Sequence, residues 1–247
     1  MNLRTLRAYY DYYLGKAEYL FIHIPKNAGV AVRKSKLLAG RLVGSEPRFH
    51  KSREYTRQLS AAMTSNGEHH GFHHARLIDI DPAVKTRLQP VAVIRNPWSR
   101  VVSRFRFAQF AIEIGTADSD YTPESFEAFL DERHVYGEKE FYWHRAIRGW
   151  YPQLDYVVDE QGSISAHLLR HEHLGDDCKR YFGLREAPQR RNVSGNKKTT
   201  KTYQDYRDYY TPETIQIVAD WYAKDIEMFG FDFDTAATRN VYYADAA

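Results

Sequence analysis

Tyr19-Leu-Phe-Ile-His-Ile-Pro-Lys-Asn-Ala-Gly29 is the stretch on which the fold turns. Tyr19 to Ile24 have the apolar and β-branched content of a buried strand. Pro25 has no N–H for a ladder, so the strand is expected to stop there. Gly29 permits a turn that a side chain would obstruct. Val30 to Gly40 reads as a helix with Val32, Leu37 and Leu38 turned inward. A strand, a tight loop with one Lys and one Gly, and a helix together make a phosphate cradle. The helix N-terminus offers unpaired N–H groups and a partial positive charge, and Lys26 adds a full one. An ordinary βα loop with an exposed Lys has the same local pattern. The loop is not the Gly-x4-Gly-Lys-Ser/Thr pattern of nucleotide triphosphatases, and no hydroxyl beside Lys26 is placed to hold magnesium.

A second stretch repeats the architecture: Pro90-Val-Ala-Val-Ile-Arg-Asn-Pro-Trp-Ser-Arg-Val-Val-Ser-Arg-Phe105. Val91 to Ile94 is a short all-apolar run, as a central parallel strand requires. Asn96-Pro97 marks the turn, with Pro97 suited to the first helical position. Arg95 then stands at the carboxyl end of a strand, the edge where open α/β sheets bind ligands. Ser103 follows two helical turns on, so Arg95, Arg100 and Ser103 are in reach of one anion. Arg supplies a bidentate fork for phosphate, and Ser a short donor. A strand-capping salt bridge for Arg95 and plain helix packing for Ser103 are the competing readings.

Composition bounds the rest. The chain has 247 residues, 43% hydrophobic and 27% charged, with net charge +3. These are the values of one globular domain spanning 1–247 and not of a strongly basic nucleic-acid binder. A single cysteine, Cys178, excludes an internal disulfide framework and fits a reducing compartment. Residues 1–16 lack an apolar signal core, and no run is apolar enough to span a membrane, so a cytoplasmic location is expected.

The order of the two stretches, about 70 residues apart, resembles sulfotransferases that use 3′-phosphoadenosine 5′-phosphosulfate. It is closest in kind to the branch of Golgi carbohydrate sulfotransferases and their bacterial relatives. That branch shows an IPKTAGTS-like loop after the first strand and RNPxxRxxSxF after a later one. Arg95, Asn96, Pro97, Arg100, Ser103 and Phe105 match the second in full. Pro25, Lys26, Ala28 and Gly29 match the first, which departs at Asn27, Val30 and Ala31, where hydroxyl residues are usual; Asn27 is an amide donor in their place. The resemblance implies a three-layer, P-loop-like α/β fold with a central parallel sheet flanked by helices. It implies cofactor contacts from Pro25, Lys26, Asn27, Ala28, Gly29 and Val30, and 3′-phosphate contacts from Arg95 and Ser103. A Gly- and Lys-rich loop at 188–202, otherwise a plain surface loop, resembles the family's Asn-x-Ser loop over the nucleotide. That makes Arg191, Asn192, Ser194 and Lys197 or Lys198 candidates.

The implied reaction moves a sulfuryl group to a hydroxyl of a carbohydrate, glycolipid or small-molecule acceptor. Lys26 stabilises the leaving phosphate oxygen, and a neutral His removes the acceptor's proton. The bases on offer lie in Glu68-His-His-Gly-Phe-His-His74: His73 first, with His70 and His74 as rivals. The same cluster contains helical i, i+4 metal pairs, but Gly71 interrupts that helix and no further ligand motif accompanies it, so no metal site is expected. Arg41, Arg48, Lys51, Arg53 and Arg57 form either a solvated segment or a wall of an anionic cleft. Trp143, Trp150 and Tyr151 are either sugar-stacking platforms or core. Three other functions compete: a small-molecule kinase, which needs a magnesium-binding hydroxyl beside Lys26; a sulfotransferase-like binding module without turnover; and a polyanion binder using Lys197 to Lys201.

Elsewhere the reading is structural. Residues 1–18 form a Tyr-rich leader helix, and Asp81-Pro82 starts a helix to about Leu88. Thr122-Pro-Glu124 caps a helix burying Phe126, Phe129 and Leu130. Tyr151 to Val158 and Ser163 to Leu169 read as a strand pair about an Asp159 to Gly162 turn, with Glu172 after it. Leu174 to Phe182 is a helix closed by Gly183. Thr211-Pro212 opens one last helix, ended by Gly230.

Overall fold

The computed structural model describes residues 3–65, 71–113, 125–136, 150–189 and 204–243. Four strands form one all-parallel sheet: β1 Tyr19–Ile22, β2 Leu42–Gly44, β3 Gln89–Ile94 and β4 His167–Arg170, in the order β2-β1-β3-β4. The helices are α1 Leu3–Tyr13, α2 Gly29–Arg33, α3 Arg53–Ser65, α4 Pro82–Arg87, α5 Pro97–Glu113, α6 Phe126–Tyr136, α7 Leu154–Val157, α8 Leu174–Phe182, α9 Pro212–Trp221 and α10 Ala223–Phe229.

Alternation along the strands builds the layers, because successive side chains point to opposite faces. Leu20, Ile22, Ala92, Ile94 and Leu168 pack on one face with Tyr9 and Tyr12 of α1, Val101 and Val102 of α5, Val218 of α9 and Phe229 of α10. Phe21, Val91, Val93 and Leu169 pack on the other with Val32 of α2 and Cys178 and Phe182 of α8. Each Val, Leu, Ile or Phe among them, fully buried, contributes about 1.5–3 kcal/mol. Both faces are covered, which is why β3 reads as an unbroken apolar run.

Several expected boundaries shift for local reasons. β1 stops at Ile22, two residues short of the expected end, because the Ile24 N–H turns back to the Ile22 carbonyl (3.2 Å) and not to a neighbouring strand. The helix expected over 30–40 splits into α2 and a 3-10 turn, Lys36–Leu38, whose N-cap Ser35 accepts from the Leu37 N–H; Leu37 is exposed. The last helix is two, α9 and α10, broken at Tyr222. Residues 41–65 hold β2 and α3, which the weak patterning concealed.

The expected strand pair at 151–169 is the largest revision. Tyr151 to Val158 contains the helical turn α7, and only a single antiparallel bridge, Val158 to Ile164, joins the two segments. The Asp225 carboxylate of α10 accepts the Gln153 N–H (2.8 Å) and the Leu154 N–H (2.9 Å). It thus caps a turn whose own side chains favour a strand. The second segment continues into β4 beside β3. The caps at Asp81, Gly183 and Thr211 stand as read; Thr122 to Glu124 lie outside the described residues, and the described cap of α6 is Ser125, which accepts from the Ala128 N–H.

His50 gives the fold a pH dependence. It is 4% exposed, its Nδ1 lies 3.3 Å from the Thr56 hydroxyl, and burial pushes it from 6.5 down to about 4, against the pull of Asp79. The unfolded chain therefore binds the extra proton between these values. The stability contributed by the neutral ring is complete above about 6.5 and is lost as pH falls toward 4. The full span corresponds to about 3 kcal/mol at 1.36 kcal/mol per pKa unit. His50→Gln, which keeps a polar group beside Thr56, should flatten the urea-midpoint slope over this window. An unchanged slope would place the titration elsewhere.

Candidate functional site

The strand order reverses direction at β1. The chain leaves β1, adds β2 on one side, then returns to place β3 on the other. The loops after β1 and β3 therefore leave side by side at the carboxyl edge, where Ile22 pairs with Ala92. Such a switch point opens the crevice in which open α/β sheets take ligands.

In the first loop Pro25, Asn27 and Gly29 are buried while Lys26, Ala28 and Val30 are half-buried. Lys26 (φ 69°) and Ala28 (φ 56°) are left-handed, and Asn27 between them is not. For residues with a Cβ this costs about 1–2 kcal/mol each. Alternating φ signs line N–H groups around a concavity suited to an anion. The Lys26 ammonium sits 4.1 Å from the centroid of the Phe107 ring on α5. Gly29 is required by close approach: a Cβ there would lie 2.0 Å from His23 Cδ2 and 2.3 Å from Nε2. The His23 ring thus lies directly on the loop. His74 stacks on it, centroids 4.4 Å apart, and His74 Nδ1 is 2.8 Å from the His23 carbonyl. A carbonyl only accepts, so Nδ1 carries the proton and Nε2 is the basic nitrogen of the neutral ring.

Arg95 closes the crevice from the second loop. Its Nη1 donates to the Lys26 carbonyl (3.0 Å), and Nε and Nη2 donate to Ser99 Oγ (2.9 and 2.7 Å). Burial lowers its guanidinium to about 10; Arg106 and Arg100 push the same way, and Glu172 opposes them. Arg100, 1% exposed, donates Nε to the Pro25 carbonyl (3.2 Å) and Nη1 to the Tyr151 carbonyl (2.8 Å). Its Nη2 is buried with no hydrogen-bond partner among the described residues. Asn96 anchors the turn: its N–H donates to Glu172 Oε1 (3.0 Å), and its Nδ2 to the carbonyls of Asp232 and Thr235, both at 2.9 Å.

Two details of the expected donor set are resolved at the atomic level. The Asn27 amide is no substitute for a loop hydroxyl: its Nδ2 donates inward to the Val93 carbonyl (2.8 Å) and to Gln153 Oε1 (2.6 Å), which uses both hydrogens. Only its backbone N–H is left as a donor to a ligand. Arg95 is bonded to Ser99 and the loop, and no hydrogen bond among the described residues joins it to Ser103, which is half-buried on α5. Ser99, Gln153 and His23 were not singled out by sequence; the loop motif with Gly29 was the one signal for His23.

Other candidates separate clearly. His73 is half-buried in the 3-10 turn Gly71–His74 that carries His74. His70, Arg191, Asn192, Ser194, Lys197, Lys198 and Trp143 lie outside the described residues. Trp150 is core, 2% exposed, with Nε1 donating to Glu132 (3.2 Å) and its ring against Phe129. Three of the cations of 41–57 are held by carboxylates. Arg41 pairs with Glu18 (2.9 Å), Lys51 with Asp79 (3.3 Å) and Arg57 with Glu54 (2.6 Å), and Arg41 precedes β2, at the opposite edge of the sheet. Among the described residues no group of three or more His, Cys, Asp or Glu could hold a metal ion.

Arg95 has Arg100, Arg106 and the Glu172 carboxylate as charged neighbours, and its bond to the Lys26 carbonyl adds the loop lysine to this set. This donor set fits a ligand carrying several negative charges. A family model described as the sulfotransferase family matches residues 14–232. Comparison with curated proteins and with solved structures returns no significant match.

Proposed function

Since the chain belongs to the sulfotransferase family, we propose that its donor is 3′-phosphoadenosine 5′-phosphosulfate and its acceptor a hydroxyl of a carbohydrate, glycolipid or small molecule. The observation that carries this reading is the 3.0 Å bond from Arg95 to the Lys26 carbonyl, which brings the two cationic motifs to one crevice. When bound, this donor supplies the sulfuryl group and a phosphate leaving group. The backbone of Pro25 to Val30 and the Lys26 ammonium hold the 5′ end. Arg95, with Ser103 further along α5, holds the 3′-phosphate, and Arg191, Asn192, Ser194 and Lys197 are assigned to the nucleotide from the family resemblance. Two anchored phosphates keep the reacting bond aligned with the acceptor.

Of the histidines, we assign the base to His74. Its Nδ1–H is committed to the His23 carbonyl, so Nε2 is oriented and basic, and the His23 ring ties it to the loop. As the acceptor oxygen bonds to sulfur and the sulfur–phosphate oxygen bond breaks, the hydroxyl proton passes to Nε2 and Lys26 offsets the charge on the departing phosphate. His73 and His70 remain the comparison residues for this assignment.

Calorimetric titration with 3′,5′-adenosine bisphosphate tests the reading, with ATP and magnesium as the control. Micromolar binding of the bisphosphate with little for ATP is expected. Binding of ATP with magnesium in preference would favour a kinase, and no binding of the bisphosphate would overturn the donor assignment.

A further inference from the structure

Gln153 is fully buried, and its side chain bonds to both loops of the crevice, with the Asp225 carboxylate of α10 a further side-chain neighbour. Oε1 accepts the Arg95 N–H (2.8 Å) and Asn27 Nδ2 (2.6 Å). Nε2 donates to the Arg95 carbonyl (2.8 Å). The residue's own N–H is held by Asp225 at 2.8 Å, so the clamp is itself anchored to α10. Arg95 is thereby gripped through both of its backbone polar groups, and the first loop through the side chain of its central residue. The remaining Asn27 hydrogen goes to the Val93 carbonyl, two residues before Arg95.

We propose that Gln153 is a positioning residue that sets the distance and orientation between the Lys26 loop and Arg95, so that one ligand reaches both. The inference rests on the reading above that these are the sites of the 5′ and 3′ phosphates. The chemistry asks for an amide of this length. A Glu has no hydrogen for the Arg95 carbonyl, and an apolar side chain takes the Gln153 partner from the Arg95 N–H, from the Arg95 carbonyl and from one hydrogen of the Asn27 amide. A side chain that only stabilised the core would have no reason to divide its bonds between these two loops.

A bisphosphate depends on the spacing of the two sites, whereas a monophosphate uses one of them. The test compares 3′,5′-adenosine bisphosphate with 5′-AMP and 3′-AMP on the full chain and its Gln153→Met variant, alongside thermal melts. Misplacement of about 1 Å can cost on the order of 10²-fold, so the bisphosphate should bind about 10–100-fold more weakly to the variant. The monophosphates, which gain nothing from the second site, should shift less than about threefold. Unchanged bisphosphate affinity, or an equal loss for all three ligands, would overturn the clamp. If the Met variant does not fold, Asn27→Ala releases the loop side alone and must show the same selective loss. A wild-type protein that does not prefer the bisphosphate over both monophosphates points instead to failure of the donor assignment, and the clamp falls with it.

Discussion

His74→Ala should bind 3′,5′-adenosine bisphosphate as the wild type does and turn over about 10²–10⁴-fold more slowly, the usual range for loss of a general base. The separation follows from geometry. His74 is buried, and it meets the Lys26 loop through the His23 ring and carbonyl. Its removal takes away the proton acceptor and leaves Lys26 and Arg95 in place. The loss should appear in kcat. His73→Ala, from the same 3-10 turn, is the decisive comparison. If His73→Ala or His70→Ala abolishes turnover and His74→Ala does not, the base is the other residue. A His74→Ala variant that fails to bind the bisphosphate would show that the ring supports the loop and does not act on the acceptor.

Lys26→Ala should lower kcat by about 10²–10³-fold, the cost of one preorganised group at a developing oxyanion, with a smaller loss of affinity. The ammonium is held over Phe107 at 4.1 Å, a contact worth about 0.5–1 kcal/mol where water still reaches it. Charge at the leaving oxygen grows during the reaction, so the interaction is larger there than in the ground state. Lys26→Gly makes an instructive partner. The backbone at Lys26 is left-handed at φ 69°, so Gly relieves strain while also removing the charge. Lys26→Gly should therefore melt no lower than Lys26→Ala and be as slow. A Lys26 variant with wild-type kcat would remove this residue from the chemistry.

The parts of the site that were legible in the sequence are those made by near neighbours. Pro25 ending a strand, Pro97 opening a helix, and Arg95 at the end of an apolar run are all decided within a few residues. The parts that were not legible are bonds across the chain. Gln153 reaches Arg95 over 58 residues and Asn27 over 126, and His74 reaches His23 over 51. Nothing in Tyr-Pro-Gln-Leu marks a clamp, because the meaning of that Gln comes from what α10 and β3 bring to it. Asn27 illustrates the reverse error: beside a loop Lys it reads as a ligand donor, yet both its amide hydrogens go inward, to the Val93 carbonyl and to Gln153 Oε1.

By itself the sequence determined the class of the fold, the two strand–loop–helix units, the cationic residues at their ends and the family to which they belong. These rest on periodicity, on Pro and Gly stereochemistry and on motif order, all carried by the covalent chain. The tertiary structure alone decided that β1 and β3 are neighbours, that the Arg95 guanidinium closes on the Lys26 carbonyl, which histidine has its Nδ1 committed, and that α7 is helical where its residues favour a strand. The physical reason is that strand order and buried hydrogen bonds are settled by which distant groups can be satisfied together once both faces of the sheet are covered.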